Sequence, residues 1–189
     1  IRAKIEELKS EDRIGTMQFF KCTLVMVEEV GGKDIPFSAI TVEWLQKCEK
    51  LWSKTRSVST IGMHMRNIRT LMNEAKRAGV IKESQYPFGK GLFEIKTGIG
   101  RKKGLTKKQL KAIFDYKSGN ETTNRYKDLW IFIYLCNGIN PTDMLKLKFS
   151  DIVDGEICFV RQKTERTTKN RKEIRATISV QMQAVIDKW

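Results

Sequence analysis

Three stretches of this chain carry side chains suited to holding a polyanion. The first is the helix-patterned run 60–78. Its polar side offers His64, Asn67, Arg69, Lys76 and Arg77, Thr60 stands at its hydroxyl-rich start, and the turn before it adds Lys54 and Arg56. Basic side chains on one helix face, behind a hydroxyl-rich N-terminus, suit phosphate contact and groove entry. An ordinary solvated face reads the same way, so this pattern is evenly balanced between the two. The second is "RQKTERTTKNRKEIR", which holds seven Lys or Arg against two Glu. Arg161, Lys163, Arg166, Lys169 and Arg171 then lie at the tip of a β-hairpin, as a finger along a backbone or into a groove. Lys163 closes the strand just before the loop, where a side chain is aimed. A solvated hairpin tip has about equal weight on composition alone. The third is "CNGINPTDMLKLKFSDI", where the apolar run "LWIFIYLC" stops at Gly138 and Pro141 and resumes with Asp143 facing one way and Met144, Leu145 and Leu147 another. A core helix has little need of such a break.

The balance of charge points the same way. The chain has 189 residues, 40% of them apolar, with a net charge of +14 and a pI near 9.7. That is enough apolar content for real cores, and so basic a surface is an argument about partners. Nucleic acid comes first, an acidic membrane surface second, and a soluble basic protein with solvated lysines is the plain alternative. Cys22, Cys48, Cys136 and Cys158 stand singly, without zinc-ligand or disulfide spacing, and His64 is the one histidine. A reducing cytoplasm fits, and no apolar run is long enough for a bilayer. No Walker loop, GxGxxG turn, HExxH helix or GxSxG elbow occurs, and no metal-binding carboxylate cluster either. The charged start without Met and the end at Trp189 fit a piece of a longer protein.

The elements that must position these residues are mostly helical. Arg2 to Val30 reads as a helix or helical pair, "GGKDIPF" breaks it, and Thr41 caps a helix with Val42, Trp44, Leu45, Cys48, Leu51 and Trp52 on its apolar face. Ser59 or Thr60 is expected to cap the long helix that follows, with Gly79 ending it. Residues 89–104, rich in Gly and Lys and including Arg101, Lys102 and Lys103, read as an extended basic linker. Thr106 and Gln109 form a capping box, a helix spans Asn124 to Leu135, and a short one spans Thr142 to Leu147. Asp154-Gly155 predicts a hairpin turn, "EIRATISV" a returning strand and "SVQMQAVIDKW" a helix. The expected fold is mainly α (α+β): a helical bundle over 1–88, a linker over 89–104, and a unit with a small antiparallel sheet over 105–189.

The order "STIGMHMRNIRTLMNEAKRAGVI", "YPF", a basic linker, "LTKKQLKAIFDY", "DLWIFIYLCNGINPTDMLKLKFSDI" and "GEICFVRQKT" resembles the tyrosine recombinases, or phage integrases, of Bacteroides-type mobile elements. The resemblance implies a SAM-like core-binding bundle followed by the N-terminal part of a recombinase catalytic domain, closing as a clamp on duplex DNA. It implies a tyrosine attacking a backbone phosphate to leave a 3′-phosphotyrosine, two arginines on the phosphate, and a hairpin lysine protonating the leaving oxygen. It implies no metal or nucleotide cofactor, and a homo-tetramer on an attachment site in the bacterial nucleoid. Lys163 matches the hairpin lysine and Asp143 the acidic member of the first arginine box, while Asn140 stands where that box has arginine. Tyr86, Tyr116, Tyr126 and Tyr134 all precede Lys163, so a chain truncated before its second arginine box and nucleophile is expected. The alternatives are a catalytically inactive DNA-binding regulator or remnant, and an RNA-binding module.

Overall fold

The computed structural model describes residues 1–100, 104–161 and 173–189. The chain divides into two compact units, Ile1–Lys102 and Lys103–Trp189. It is mainly helical, with one small antiparallel sheet.

Unit 1 is built on four helices, α1 (Arg2–Ser10), α2 (Ile14–Gly31), α3 (Val42–Trp52) and α4 (Val58–Arg77). The helical pair expected before residue 31 is thus α1 and α2. Thr41 caps α3, its Oγ1 accepting from the Trp44 amide at 3.2 Å. Ser57 caps α4, not Ser59 or Thr60: its Oγ accepts from the Thr60 amide at 3.2 Å. Ser57 is the last residue with extended dihedrals, so its hydroxyl reaches back over the first turn. At the other end Gly79 has φ +70°, its amide donates to Lys76, and the Val80 amide donates to Ala75. This Schellman arrangement satisfies carbonyls that the helix leaves open.

The core of unit 1 joins Met26 and Val27 of α2 to Leu45, Cys48 and Trp52 of α3 and Ile61, Met65, Ile68 and Met72 of α4. Ile5, Leu8, Met17, Phe20 and Leu71 form a second cluster between α1, α2 and α4. Each such side chain contributes about 1.5–3 kcal/mol when fully buried. The segment expected as a linker starts within this fold. Phe93 is buried in the main cluster beside Phe88, and Ile95 packs against it. Two apolar residues in a Gly- and Lys-rich stretch anchor it, and composition averages them away.

Unit 2 opens with α5 (Lys107–Asp115), whose predicted capping box is present: the Gln109 amide donates to Thr106 Oγ1 at 3.3 Å, and the Thr106 amide to Gln109 Oε1 at 2.9 Å. α6 (Glu121–Leu135) begins earlier than its apolar pattern because Asn120 Oδ1 accepts from the Thr123 amide at 3.2 Å. α7 is a single turn, Pro141–Met144, shorter than the expected 142–147. β1 (Ile152–Val153), β2 (Glu156–Val160) and β3 (Glu173–Thr177) make an antiparallel sheet in that order, with Ile152 opposite Ile157 and Ile157 opposite Ala176. Asp154 and Gly155 both take positive φ in the first turn, as a two-residue hairpin requires. α8 (Val180–Lys188) is capped by Ser179 and closes over Phe132, Cys136, Ile139, Ile157 and Ala176 with Met182.

Candidate nucleic-acid interface

The basic turn between α3 and α4 is open. Lys54 and Arg56 are exposed, and Arg56 donates to the neighbouring Thr55 hydroxyl at 3.3 Å. Beyond the first turn of α4 the exposed positions are Arg66, Arg69, Thr70, Asn73 and Arg77. Steps of three and four put Arg66, Arg69, Thr70, Asn73 and Arg77 along one side of the helix. A row of guanidinium groups behind a basic turn presents fixed, permanently charged donors to a phosphate backbone. Arg66 was not among the sequence candidates, though its three-residue step to Arg69 is the signal that marks it.

Four sequence candidates on this helix do other work. His64 is not on the exposed face: it is 5% exposed, its Nδ1 lies 2.9 Å from Thr23 Oγ1, and its ring meets Trp52 edge-on. Burial, helped by the charge of Arg56, lowers its pKa. Asn67 turns inward too, its Nδ2 donating to Thr23 Oγ1 at 2.8 Å. A helical stripe of Ile61, Met65, Ile68 and Met72 is wide enough to take position 64 inside, and Thr23 of α2 supplies the polar partner that makes this tolerable. Lys76 pairs with Glu83 at 2.7 Å and sits 4.9 Å over the Tyr86 ring. The Thr60 hydroxyl meets Ser57 Oγ at 3.0 Å inside the cap.

In unit 2 the break after α6 is made by two left-handed residues, Asn137 (φ +54°) and Gly138 (φ +73°). Asn140 follows, exposed, and its Oδ1 accepts from the Thr142 amide at 2.9 Å, capping α7. Its oxygen is therefore engaged in local structure. Asp143 is 8% exposed, and Cys136 beside the break is buried, which raises its thiol pKa. Lys146, Lys148 and Arg161 are exposed. Lys163, Arg166, Lys169 and Arg171, with Arg101, Lys102 and Lys103, lie outside the described residues.

A cluster that sequence reasoning missed ties α6 to α8. Asp128 is 8% exposed and accepts from Lys188 Nζ at 2.7 Å and Trp189 Nε1 at 3.1 Å, with Lys127 3.4 Å away. Burial alone would raise its pKa, but the bonds from Lys188 and Trp189 and the charge of Lys127 outweigh it and hold the carboxyl below its ordinary range. Nothing in the local spacing marks Asp128, since the groups that hydrogen-bond it are some sixty residues away. Among the described residues no group of three or more His, Cys, Asp or Glu is placed to hold a metal, and no helix is long and apolar enough to cross a membrane.

Unit 1 is thus a four-helix bundle with a basic turn and arginine row, and unit 2 a helical unit with a three-stranded sheet. Residues 1–95 match the phage integrase SAM-like domain. The chain belongs to that family. Its fold is similar to that of the Tn1549 transposon integrase solved in complex with transposon right end DNA, at 12% identity and a TM-score of 0.66, over 97% of this chain and 62% of that one. A second structure of that integrase, with circular intermediate DNA, gives 13% identity and a TM-score of 0.57, over 97% and 61%. The chain thus spans under two thirds of the integrase chains it resembles. No curated protein matches it.

Proposed function

We propose that this chain is the duplex-gripping portion of a tyrosine-recombinase integrase that moves a mobile element. The observation that carries the reading is the SAM-like bundle over 1–95 with an exposed basic turn and arginine row on it. Lys54, Arg56, Arg66, Arg69 and Arg77 then hold phosphates, the 161–171 segment adds further cations, and Lys163 delivers a proton to the leaving oxygen. Strand cleavage is proposed only for a protein that also carries a tyrosine nucleophile and assembles as a tetramer on its attachment site.

The test is binding of the whole chain to a labelled duplex across a salt series. Affinity should fall steeply with salt, and Arg66→Ala or Arg69→Ala should each reduce the logarithmic slope by about 1. Absence of duplex binding, or a preference for single-stranded RNA, would refute the reading; the latter would favour an RNA-binding module.

One observation favours a second reading, a DNA-binding regulator without cleavage. Asn140, which stands where the resemblance places an arginine, brings no charge, and its oxygen caps α7. A suicide duplex with a bridging phosphorothiolate, offered to a version of the protein that includes the nucleophile, separates the two. A covalent protein–DNA adduct supports the enzyme, and tight binding without adduct supports the regulator.

A further inference from the structure

The stretch 88–98 is tied to unit 1 more closely than a connector needs. Phe93 is 5% exposed, lies edge-on to Phe88 with ring centroids 5.9 Å apart, and its amide donates to the Pro87 carbonyl at 2.9 Å. Beyond it the backbone crosses the start of α4 at two glycines. A Cβ on Gly62 would stand 2.8 Å from the Lys96 carbonyl oxygen, nearer than real Cβ atoms come. A Cβ on Gly98 would run into Ser59 Oγ. Over this crossing Lys96 Nζ reaches Glu49 of α3 at 2.8 Å. Ser53 and Val58, which bracket the turn of Lys54 and Arg56, line the crevice under the crossing.

An apolar anchor, a backbone contact at Gly62 open only to glycine, a close approach of Gly98 to Ser59 and a partly exposed ion pair together make a latch. We propose that residues 88–98 are a strap that fixes where the chain leaves the bundle, beside Lys54 and Arg56, and that its closure governs how strongly the two units act together on one duplex. The coupling rests on the function proposed above. Closed, the strap withdraws residues 89–98 from the connection between units; released, they add up to ~34 Å of reach. The effective concentration of a tethered second binding unit falls as roughly the −3/2 power of tether length. Opening the latch therefore weakens duplex binding while every phosphate contact remains available.

Gly62→Ala and Gly98→Ala probe the latch in the whole chain. Alanine is the better helix former, so Gly62→Ala leaves α4 itself at least as stable. Ser59→Ala, combined with Gly98→Ala, removes the hydroxyl that the new methyl would strike. Amide exchange at Gly89, Leu92 and Phe93, whose amides are hydrogen-bonded in the closed strap, should rise about tenfold in each glycine variant while 61–77 stays protected. Duplex affinity should drop about threefold, and Ser59→Ala should restore both readouts in the Gly98→Ala background. If α4 loses protection as well, Glu49→Gln, which breaks the ion pair without touching the packing, decides by its own effect on exchange over 89–93. Unchanged exchange over 89–93 overturns the latch, and a freed strap with wild-type duplex affinity overturns the coupling. A wild-type chain that binds no duplex refutes the function proposed above and the coupling with it, and the exchange readout still decides the latch.

Discussion

Thr23 is the place where a single atom group should matter most to unit 1. The residue is fully buried, and its Oγ1 lies 2.9 Å from the Phe19 carbonyl, 2.9 Å from His64 Nδ1 and 2.8 Å from Asn67 Nδ2. A hydroxyl has one proton and two lone pairs. With the proton on Phe19, both lone pairs accept, which assigns His64 the tautomer protonated at Nδ1. Thr23→Val keeps the shape and removes all three bonds. Asn67 is half-buried and reaches water, or Phe19 at a poor 3.5 Å. His64 has no such escape, since either tautomer leaves Nδ1 facing a methyl group. One unmet buried group costs about 1–3 kcal/mol, and a net loss of about 2 kcal/mol is expected. That is about a thirtyfold change in the opening equilibrium. Urea unfolding of the whole chain, read by amide exchange in α2 and α4 peptides, measures unit 1 by itself. Thr23→Ser keeps the hydroxyl and removes one methyl, so it should cost about 0.8 kcal/mol. A valine variant as stable as wild type, or a serine variant as damaged as the valine one, would refute the argument.

Other outcomes follow from the same structure. His64 is held neutral, its pKa lowered from 6.5, so unit 1 should lose stability as pH falls from there through the lowered folded value. His64→Gln should abolish that slope in melts between pH 7.5 and 5. Asp128 has its carboxyl pKa lowered from 3.8, so its contribution is present above that value and disappears as pH falls through the folded one. Asp128→Asn should cost about 1–3 kcal/mol and free α8, seen as faster exchange over 180–188. Ser57→Ala should cost about 1 kcal/mol in thermal melts, whereas Ser59→Ala should be close to neutral, because Ser57 holds the cap. Equal effects at the two serines would place the helix start elsewhere.

Much of the architecture is legible in the sequence because local chemistry decides it. The caps at Thr41 and Thr106, the Gly79 stop and the Asp154-Gly155 turn each depend on residues within four positions of one another. The helix stripes follow the same rule. What escaped the reading depends on distant partners. His64 looks polar and therefore exposed until Thr23, forty-one residues earlier, is known to face it. Phe93 looks like part of a loop until Phe88 and α4 are seen to receive it. Asp128 is one carboxylate among many until the chain end returns with Lys188 and Trp189. In the candidate interface, Lys54, Arg56 and Arg69 were readable as exposed cations, while Lys76 was not, because Glu83 and Tyr86 occupy it.

The cap made by Asn140 constrains how this chain can change. An arginine at 140 would supply the charge that asparagine lacks, but it would also strip α7 of the oxygen that receives the Thr142 amide. Losing such a cap costs about 1 kcal/mol, and here the helix is a single turn with Pro141 at its head. The gain in charge and the loss of local order are thus fused in one codon. A change from asparagine to arginine is therefore gentlest when a second substitution first secures the turn, which makes position 140 one half of a coupled pair.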